Sequence, residues 1–407
     1  MSNAKPQDGA ATGTQAKRPA AMKILSLLLR NVKFGQIQLA LPDGEILTFG
    51  EKSPVGPAVL KVYNMAFFNR TLRQGAMGFA ESYMDGEWSS PDLAKLLILL
   101  NSNMTMLQQS IGKNRLTQWI NRIIHILRPN TRKGAKRNIH AHYDLGNEFY
   151  ALWLDATMTY SSALFRDSQQ TLRDAQDEKY RALAASTDIG PNDHVLEIGC
   201  GWGGFAEFVA REIGCKVTGI TISNEQLAFA KNRIAMAGLQ DKVDFKFCDY
   251  RDLTEKYDRI VSIEMFEAVG ESYWPTYFDK VHGCLKPGGK AGLQIITIAK
   301  ERFASYRKKT DFIQRYIFPG GMLPSPEGLD TEFANADLKL VAREDFAADY
   351  ARTLAEWRHR FLGVWPEVQA LGFDARFRKM WEYYLAYCEA GFATRSIDVS
   401  HFTLMRD

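Results

Sequence analysis

The segment Val195–Gly204, VLEIGCGWGG, constrains the possible folds of this chain more than any other. A short apolar run ends there in a glycine-rich turn, and residues 205–212 continue with apolar side chains at helical spacing. Glycine lets the backbone approach a ligand closely and adopt positive φ without strain. The pattern therefore predicts a strand, a turn and a helix whose N-terminus faces a ligand, as in α/β sheets that bind an adenosine-containing cofactor.

The spacing of the glycines narrows the choice of cofactor. Gly199, Gly201 and Gly203 alternate with other residues, whereas a dinucleotide-binding turn has its third glycine later in the sequence. The pattern Glu-x-Gly-x-Gly-x-Gly fits a turn that binds S-adenosylmethionine (SAM), so we expect Gly199 and Gly201 to contact SAM. For the turn taken alone, an ordinary strand-to-helix crossover is the alternative.

The residues after the turn alternate between strand-like and helix-like segments. Leu285–Gly289 predicts a turn before the last strand of this series. Such alternation predicts an α/β fold with a doubly wound, mostly parallel sheet, like that of class I SAM methyltransferases. The predicted strands are 195–198, 216–222, 243–247, 257–263 and 291–298, and the predicted helices are 203–213, 224–237 and 274–285.

At 407 residues the chain is long enough for two domains. Residues 1–22 have the composition of a disordered tail. Short strand and helix patterns over 23–105 predict a small α+β N-terminal domain that associates with lipid, and 106–140 predict a basic helical linker. The catalytic domain is expected over 141–407, and its last hundred residues predict helical lid insertions with a closing strand that ends in His401–Met405.

The formal net charge of +4 conceals a strongly basic segment. From Leu93 through Tyr143 there is no Asp or Glu, whereas nine residues are Lys or Arg. Apolar residues at helix-like spacing precede the densest part, 128–137, so the segment favours binding to anionic lipid head groups. A solvated linker is the first alternative. Nucleic acid is a weaker one, because no base-reading motif accompanies the charge.

Other features of the composition exclude several classes of protein. Five scattered cysteines without a Cys-x-x-Cys pair favour reduced thiols over a disulfide framework or a zinc site. No apolar run reaches the length of a membrane span, and no credible cleavage site follows Met22–Leu29. His140 and His142 lack further ligands nearby, so we predict no metal site. These features favour a cytoplasmic protein that is peripheral at the inner face of the membrane.

In a doubly wound sheet the ligand lies beyond the carboxyl ends of the strands. After the second strand, Thr221, Ser223 and Gln226 are expected to make neutral hydrogen bonds to the SAM ribose. After the third, Asp249 is expected to accept from the adenine amino group and Tyr250 to stack on the ring. The alternative for Asp249 is a helix N-cap.

Several motifs spread along the chain resemble those of the cyclopropane-fatty-acyl-phospholipid synthase family. The resemblance extends over roughly residues 30–400. Its most specific parts are His142-Tyr-Asp-Leu-Gly-Asn147 and Tyr316-Ile-Phe-Pro-Gly-Gly321. Further matches are Gly78–Trp88, Met158–Ser162, Leu196–Gly204, Gly219–Ser223, Asp249–Leu253, Met265–Gly270, Leu323–Ser325 and Ala348–Tyr350.

The resemblance implies transfer of the SAM methyl group to the cis double bond of an unsaturated acyl chain within a membrane phospholipid. It places Tyr160 and Ser161 near the methionine end of SAM. Similar enzymes then remove a proton with a bound bicarbonate ion, and the resemblance places Glu267, Tyr350 and Ser162 at that base site. It also implies a possible homodimer.

The base site departs from the family pattern at three positions. Ser162 replaces a cysteine, Ala268 replaces a histidine, and the histidine of the family's Leu-His-Thr-Ile strand becomes Gln294 or Ile296, depending on the alignment. Bicarbonate is therefore possible but not assured. A cyclopropane is the first expected product, a methyl-branched or methylene chain is the alternative, and a SAM- and lipid-binding protein without turnover is a second alternative.

Overall fold

The computed structural model describes residues 19–104 and 145–407. The basic segment at 113–137, the predicted linker and the His142 motif as far as residue 144 lie outside these ranges, as do residues 1–18. Within the described ranges no helix is long and apolar enough to cross a membrane. The predicted division into domains at residues 105 and 141 therefore remains a prediction.

The N-terminal elements form a small α+β layer. Its sheet has the order β2-β1-β3-β4, in which β1 pairs in parallel with β3. Ile37 and Leu39 of β1 and Leu60 of β3 point inward at the two-residue period of strands. The elements are α1 (Ala20–Leu29), β1 (Gln36–Ala40), β2 (Ile46–Gly50), β3 (Ala58–Val62), α2 (Ala66–Gln74), α3 (Ala76–Met84), β4 (Trp88–Ser89) and α4 (Leu93–Ser102).

The start of α1 corrects one boundary. Residues 20–22 were expected to belong to the disordered tail, but α1 begins at Ala20, and Ala21 and Met22 are buried. The composition of residues 1–22 does not show this boundary, because the burial of Ala21 and Met22 accompanies the packing of α1 on α2 in the folded chain.

The larger sheet has, in spatial order, the strands β10 (Leu338–Asp345), β11 (Ile397–Arg406), β9 (Leu285–Ile298), β8 (Tyr257–Ile263), β5 (His194–Ile198), β6 (Lys216–Thr221) and β7 (Val243–Phe247). The five strands from β9 to β7 are mutually parallel. β11 is antiparallel to both of its neighbours. The first elements after the gap are α5 (Gly146–Trp153), α6 (Leu172–Ser186), β5 (His194–Ile198), α7 (Gly204–Glu212), β6 (Lys216–Thr221), α8 (Asn224–Ala237), β7 (Val243–Phe247), β8 (Tyr257–Ile263), α9 (Trp274–Cys284) and β9 (Leu285–Ile298). The predicted α/β fold with a mostly parallel sheet is confirmed.

Most of these bounds agree with the predicted ones to within two residues, because the apolar periods are local. The turn predicted at Leu285–Gly289 lies inside β9, which extends from Leu285 to Ile298. Residues 286–289 have no partner on β8 and form a bulge between the pairs of Tyr257 and Arg259, with Gly288 at a φ of 73°.

The C-terminal region surrounds the carboxyl end of the sheet with helices. One expected closing strand is β11, but a second strand, β10, had no signal because its charged edge-strand residues do not alternate with apolar ones. The remaining elements are α10 (Lys300–Tyr306), α11 (Phe312–Tyr316), α12 (Pro326–Asn335), β10 (Leu338–Asp345), α13 (Ala347–Gly363), α14 (Trp365–Ala370), α15 (Ala375–Ala393) and β11 (Ile397–Arg406).

One aromatic core joins the N-terminal layer to the C-terminal helices. α15 packs on α3, α4 and α13. Trp381 of α15 lies 5.1 Å from Phe149 and 6.0 Å from Trp153, measured between ring centroids. Tyr83 of α3 lies 5.7 Å from Tyr383 in the same way. Two residues of this core, Tyr383 and Tyr384, line the cavity that contains the candidate site.

Candidate active site

The glycine turn between β5 and α7 is compact for steric reasons. Gly199, Gly201 and Gly203 have φ values of 81°, 51° and 81°. A Cβ at Gly199 would lie 2.7 Å from the Met265 side chain, and one at Gly203 would lie 2.9 Å from Phe245. A Cβ at Gly201 would instead meet open space. The turn therefore packs against the protein at two glycines and leaves its middle free to approach a ligand.

One cavity of about 2640 Å³ adjoins this turn. All nine residues predicted to bind SAM line it, together with Glu267 and Tyr350 of the predicted base site. These nine residues are Tyr160, Ser161, Gly199, Gly201, Thr221, Ser223, Gln226, Asp249 and Tyr250. Ser162 does not line the cavity, because its Oγ donates to the carbonyl of Ala163 at 2.9 Å.

The residues expected at the adenosine end are held by local hydrogen bonds. Ser223 caps α8 by accepting from the Gln226 backbone N–H, and Thr221 Oγ1 lies 3.1 Å from Gln226 Oε1. Asp249 begins a short 3-10 helix and pairs with Arg251 at 2.6 Å, which lowers the pKa of its carboxyl group. The N-cap interpretation of Asp249 therefore describes its contacts here, and an adenine amino group would have to share this carboxylate with Arg251.

A buried lysine lies behind the residues expected at the methionine end. Lys179 of α6 donates to Ser161 Oγ and to Gln176 Oε1, both at 2.7 Å. Burial lowers the pKa of its ammonium group to about 7, against the attraction of Glu264, Asp155 and Glu197. We did not predict Lys179, although Gln176 and Lys179 fall on the buried face of α6 at three-residue spacing, which was an available signal.

A second residue that we did not predict, Glu264, organises the region of the predicted base site. It follows β8 with φ of 49°, a left-handed conformation that is uncommon outside glycine. Its Oε2 accepts from the Tyr350 hydroxyl at 2.5 Å. Its Oε1 accepts from the Ser162 backbone N–H at 2.8 Å and from Gln294 Nε2 at 2.7 Å. Its place at a strand end, inside Glu264-Met-Phe-Glu267, was the only sequence signal.

Glu267 lies next to Glu264 on the cavity wall but has fewer partners. Its Oε1 accepts from the Ile296 backbone N–H at 2.6 Å, whereas its Oε2 is buried without a hydrogen-bond partner in the described structure. Burial and, as the smaller cause, the nearby charge of Glu264 together raise the pKa of this carboxyl group to about 8. A carboxyl group with such a pKa is suited to exchange a proton near neutral pH.

The described residues do not fit a bicarbonate ion in the expected manner. Tyr350 and Gln294 donate to Glu264, and the Ser162 hydroxyl points away from the cavity. The Glu264 carboxylate, which is itself planar and anionic like bicarbonate, already accepts from these donors. We therefore derive no step through bicarbonate.

A buried histidine continues this network behind Gln294. His401 of β11 lies opposite Gln294 of β9, and its Nε2 is 3.0 Å from Gln294 Oε1. Burial lowers the pKa of the imidazole to about 3, so the ring is neutral and Nε2 must carry its proton to donate to the amide oxygen. This bond orients the amide so that its NH₂ group faces Glu264.

Aromatic rings surround Tyr160, the residue expected near the methionine end of SAM. Its hydroxyl lies 2.6 Å from that of Tyr384, and its ring centroid lies 5.3 Å from Tyr150 and 5.3 Å from Trp357. The glycine turn joins this cluster through Trp202, whose ring centroid lies 5.1 Å from that of Tyr150 and whose indole N–H donates to Asn147 at 2.7 Å. Ring faces attract positive charge, so this wall suits a cationic centre in the cavity.

Within residues 19–104 and 145–407, no group of three or more His, Cys, Asp or Glu side chains has the arrangement to hold a metal ion. The five cysteines are all unpaired thiols. The chemistry of the described site thus rests on carboxylates, a lysine, phenols and the glycine turn.

Comparison with known proteins shows the family of the chain. The family model described as mycolic acid cyclopropane synthetase matches residues 130–402. The chain belongs to this family. It is accordingly a SAM-dependent methyltransferase of the cyclopropane synthase family, whose members modify lipids.

Two curated relatives and two solved structures show the extent of the similarity. The chain is 39% identical to tuberculostearic acid methyltransferase UfaA1 of Mycobacterium tuberculosis, over 94% of this chain and 90% of that protein. It is 36% identical to the cyclopropane-fatty-acyl-phospholipid synthase of Escherichia coli K12, over 84% and 86%. The M. tuberculosis cyclopropane synthase MmaA2 and mycolic acid cyclopropane synthase CmaA1, the latter complexed with SAH and CTAB, each superpose with a TM-score of 0.62 at 29% identity, over 66% of this chain and 98% of theirs.

The glycine turn gives a first testable prediction. Gly199→Ala places a Cβ against Met265 at a positive φ, so it displaces the turn, and we expect SAM affinity measured by calorimetry to fall about tenfold or more. Gly283→Ala is the matched control, because that glycine has ordinary φ and nothing lies within 4 Å of the added Cβ. Equal SAM affinity of the two variants would contradict the assignment of the turn.

The buried His401 behind Gln294 gives a second testable prediction. His401→Phe keeps a ring against Phe346 but removes the hydrogen bond to Gln294, so the amide that supports Glu264 loses its fixed orientation. We expect kcat for SAM-dependent methyl transfer to fall about tenfold with unchanged SAM affinity. Phe346→Leu, which disturbs the ring contact alone, serves as the control; an equal loss in both variants would indicate a packing role only.

Proposed function

We propose that this chain transfers the methyl group of SAM to the cis double bond of an unsaturated acyl chain in a membrane phospholipid. The observation that carries the proposal is the continuity of the cavity. Its lining runs from Gly199 and Gly201 to apolar residues of the N-terminal layer, among them Phe67, Phe68 and Leu97. An acyl chain is the lipid part that an apolar cavity of this extent suits.

The residues around the glycine turn would hold SAM, which supplies an electrophilic methyl group. Gly199 and Gly201 let SAM approach the backbone of the turn closely, and Thr221, Gln226 and Tyr250 lie where the nucleoside is expected. Ser161 is fixed from behind by a hydrogen bond from the buried amine of Lys179. In its protonated form this amine favours a nearby ligand carboxylate, which SAM has at its methionine end.

An alkene is a weak nucleophile, so the protein must orient the chain and exclude water. Methylation of the double bond leaves a positive charge on the lipid chain. The rings of Tyr150, Tyr160 and Tyr384 line the cavity and stabilise such a charge through their faces. The fixed anion of Glu264 adds to this stabilisation because it lies in the same water-poor wall.

We infer that Glu267 accepts the proton that the methylated chain must lose. Its raised pKa makes it the stronger base once deprotonated, and its Oε2 has no partner in the described structure. A catalytic pKa near the operating pH is favourable for proton transfer. Glu264, which is fixed by Tyr350, Gln294 and Ser162, stabilises the positive charge of the lipid chain and does not accept the proton.

The arrangement around Glu264 favours an open-chain product. Methyl transfer to one carbon of the double bond leaves the positive charge on the other carbon. Ring closure then removes a proton from the new methyl group, whose C–H electrons form the third bond of the ring, so it requires a base fixed at that methyl. If a hydride first shifts from the methyl-bearing carbon to its charged neighbour, the charge lies on the methyl-bearing carbon, and a proton of the methyl group is then acidic enough for a weaker base. Because the donors expected for bicarbonate are hydrogen-bonded to Glu264, we propose that the chain loses this proton and carries a methylene group instead of a cyclopropane ring.

The proposed base predicts a dependence on pH. Because Glu267 must be deprotonated to accept a proton and its pKa is about 8, kcat is expected to rise with pH and to level off above about that value. Glu267→Gln should lower kcat about 100-fold or more and abolish the rise, without changing SAM affinity. The measurement is release of S-adenosylhomocysteine from vesicles of unsaturated phosphatidylglycerol; Glu212→Gln, an exposed carboxylate on α7, is the control. A pH-independent kcat in the unmodified chain would contradict this role.

The product itself can be identified by mass spectrometry of lipids from cells that express the chain. A ring and a methylene group add the same mass, but mild hydrogenation adds two hydrogens only to the methylene chain. We expect the modified chain to take up hydrogen. Resistance to hydrogenation would establish the cyclopropane instead, and SAM binding without any modified lipid would establish the alternative of a binding protein without turnover.

A further inference from the structure

The cavity has exposed lining residues in two places, where it must open to solvent. One group lies beside the expected adenosine end and includes Ile222, Glu225 and Arg251. The other group lies between the turn that joins α2 to α3 and the segment from α10 to α11. Its exposed members are Arg73, Gln74, Ala76, Glu301, Ser305, Lys308, Lys309, Thr310 and Arg315. We call this second group the basic opening.

The basic opening carries an excess of positive charge that the described protein does not neutralise. No ion pair of Arg73, Lys308 or Lys309 is found among the described residues. Arg315, in contrast, forms an ion pair with Glu81 at 3.4 Å. Of the acids on this lining, Glu301 is exposed, and Asp311 is committed to the N-cap of α11.

Apolar side chains adjoin these cations on the same lining. α1 contributes Ile24, Leu25, Leu28 and Leu29 to the cavity wall, and its neighbour Leu27 is 58% exposed. α1 packs on α2, whose last turn carries Arg73, and α11 contacts α3. An apolar helix beside unpaired cations is the arrangement of a surface that lies against an anionic bilayer.

We infer that the basic opening is the entrance for the substrate and that Arg73, Lys308 and Lys309 bind the phosphodiester of an anionic phospholipid, with α1 against the bilayer. This inference rests on the proposed function. The acyl tail extends from the opening along the apolar lining toward the glycine turn, while the head group stays at the water interface. The cavity is continuous between the two, so the lipid reaches the site without leaving the membrane completely.

The test compares two sets of charge reversals in the full chain. One variant combines Arg73→Glu, Lys308→Glu and Lys309→Glu; the control combines Lys216→Glu, Lys231→Glu and Lys339→Glu, three exposed lysines that do not line the cavity. Binding to vesicles of unsaturated phosphatidylglycerol and of phosphatidylcholine is measured by sedimentation. We expect the first variant to bind phosphatidylglycerol vesicles about tenfold more weakly or worse, and the control within about twofold of the unmodified chain. SAM affinity serves as the check that both variants are folded.

Three results would overturn the inference. Equal weakening in both variants would show a general effect of net charge. Unchanged binding of the first variant would place the lipid elsewhere, since residues 113–137 are the same in every protein compared. Displacement of the vesicles by inorganic phosphate, at the concentration of lipid phosphate, would show a site for free phosphate. Release of S-adenosylhomocysteine is measured separately: its absence in the unmodified chain would contradict the proposed function, whatever the vesicles show.

Discussion

The hydrogen bonds of the Glu264 carboxylate hold the base site together. They join the end of β8 to the loop at Ser162, to Gln294 of β9 and to Tyr350 of α13. A buried carboxylate is costly unless donors surround it, so these segments must come together in one arrangement for the fold to be stable. The left-handed backbone of Glu264 is maintained by the same contacts, as strained residues in functional sites usually are.

The interior charges of this site are interdependent. Lys179, Glu197, Glu264 and Glu267 lie within the same part of the protein, and the attraction of Lys179 to Glu264 and Glu197 opposes the cost of burying each. Removing one partner of such a set leaves a buried charge without compensation, which destabilises strongly. Lys179 of α6 lies beside Ser161, where the methionine end is expected, and it attracts Glu264, which lies where the lipid cation is expected.

Much of the fold could be predicted because its signals are local. The strands and helices from β5 to β9 follow from apolar periods and the glycine turn, and the predicted SAM residues lie on one cavity because parallel strands end at one edge of the sheet. Local patterns could not show β10, which is an edge strand without alternation, or the direction of the Ser162 side chain. Glu264 was visible only as an acid after a strand, and Lys179 only as a polar residue on a buried helix face, because their roles come from partners far away in the sequence.

The sequence by itself determined the fold class, the cofactor and the family, since each depends on short runs of residues whose spacing dictates backbone geometry. Only the tertiary structure decided how the base site is built. Ser162 is more than a hundred residues away from Glu264 and from Gln294 in the sequence. No spacing rule relates these residues to one another. Folding places their donors around one carboxylate, and these tertiary contacts, rather than any motif, leave Glu267 Oε2 without a hydrogen-bond partner in the described structure.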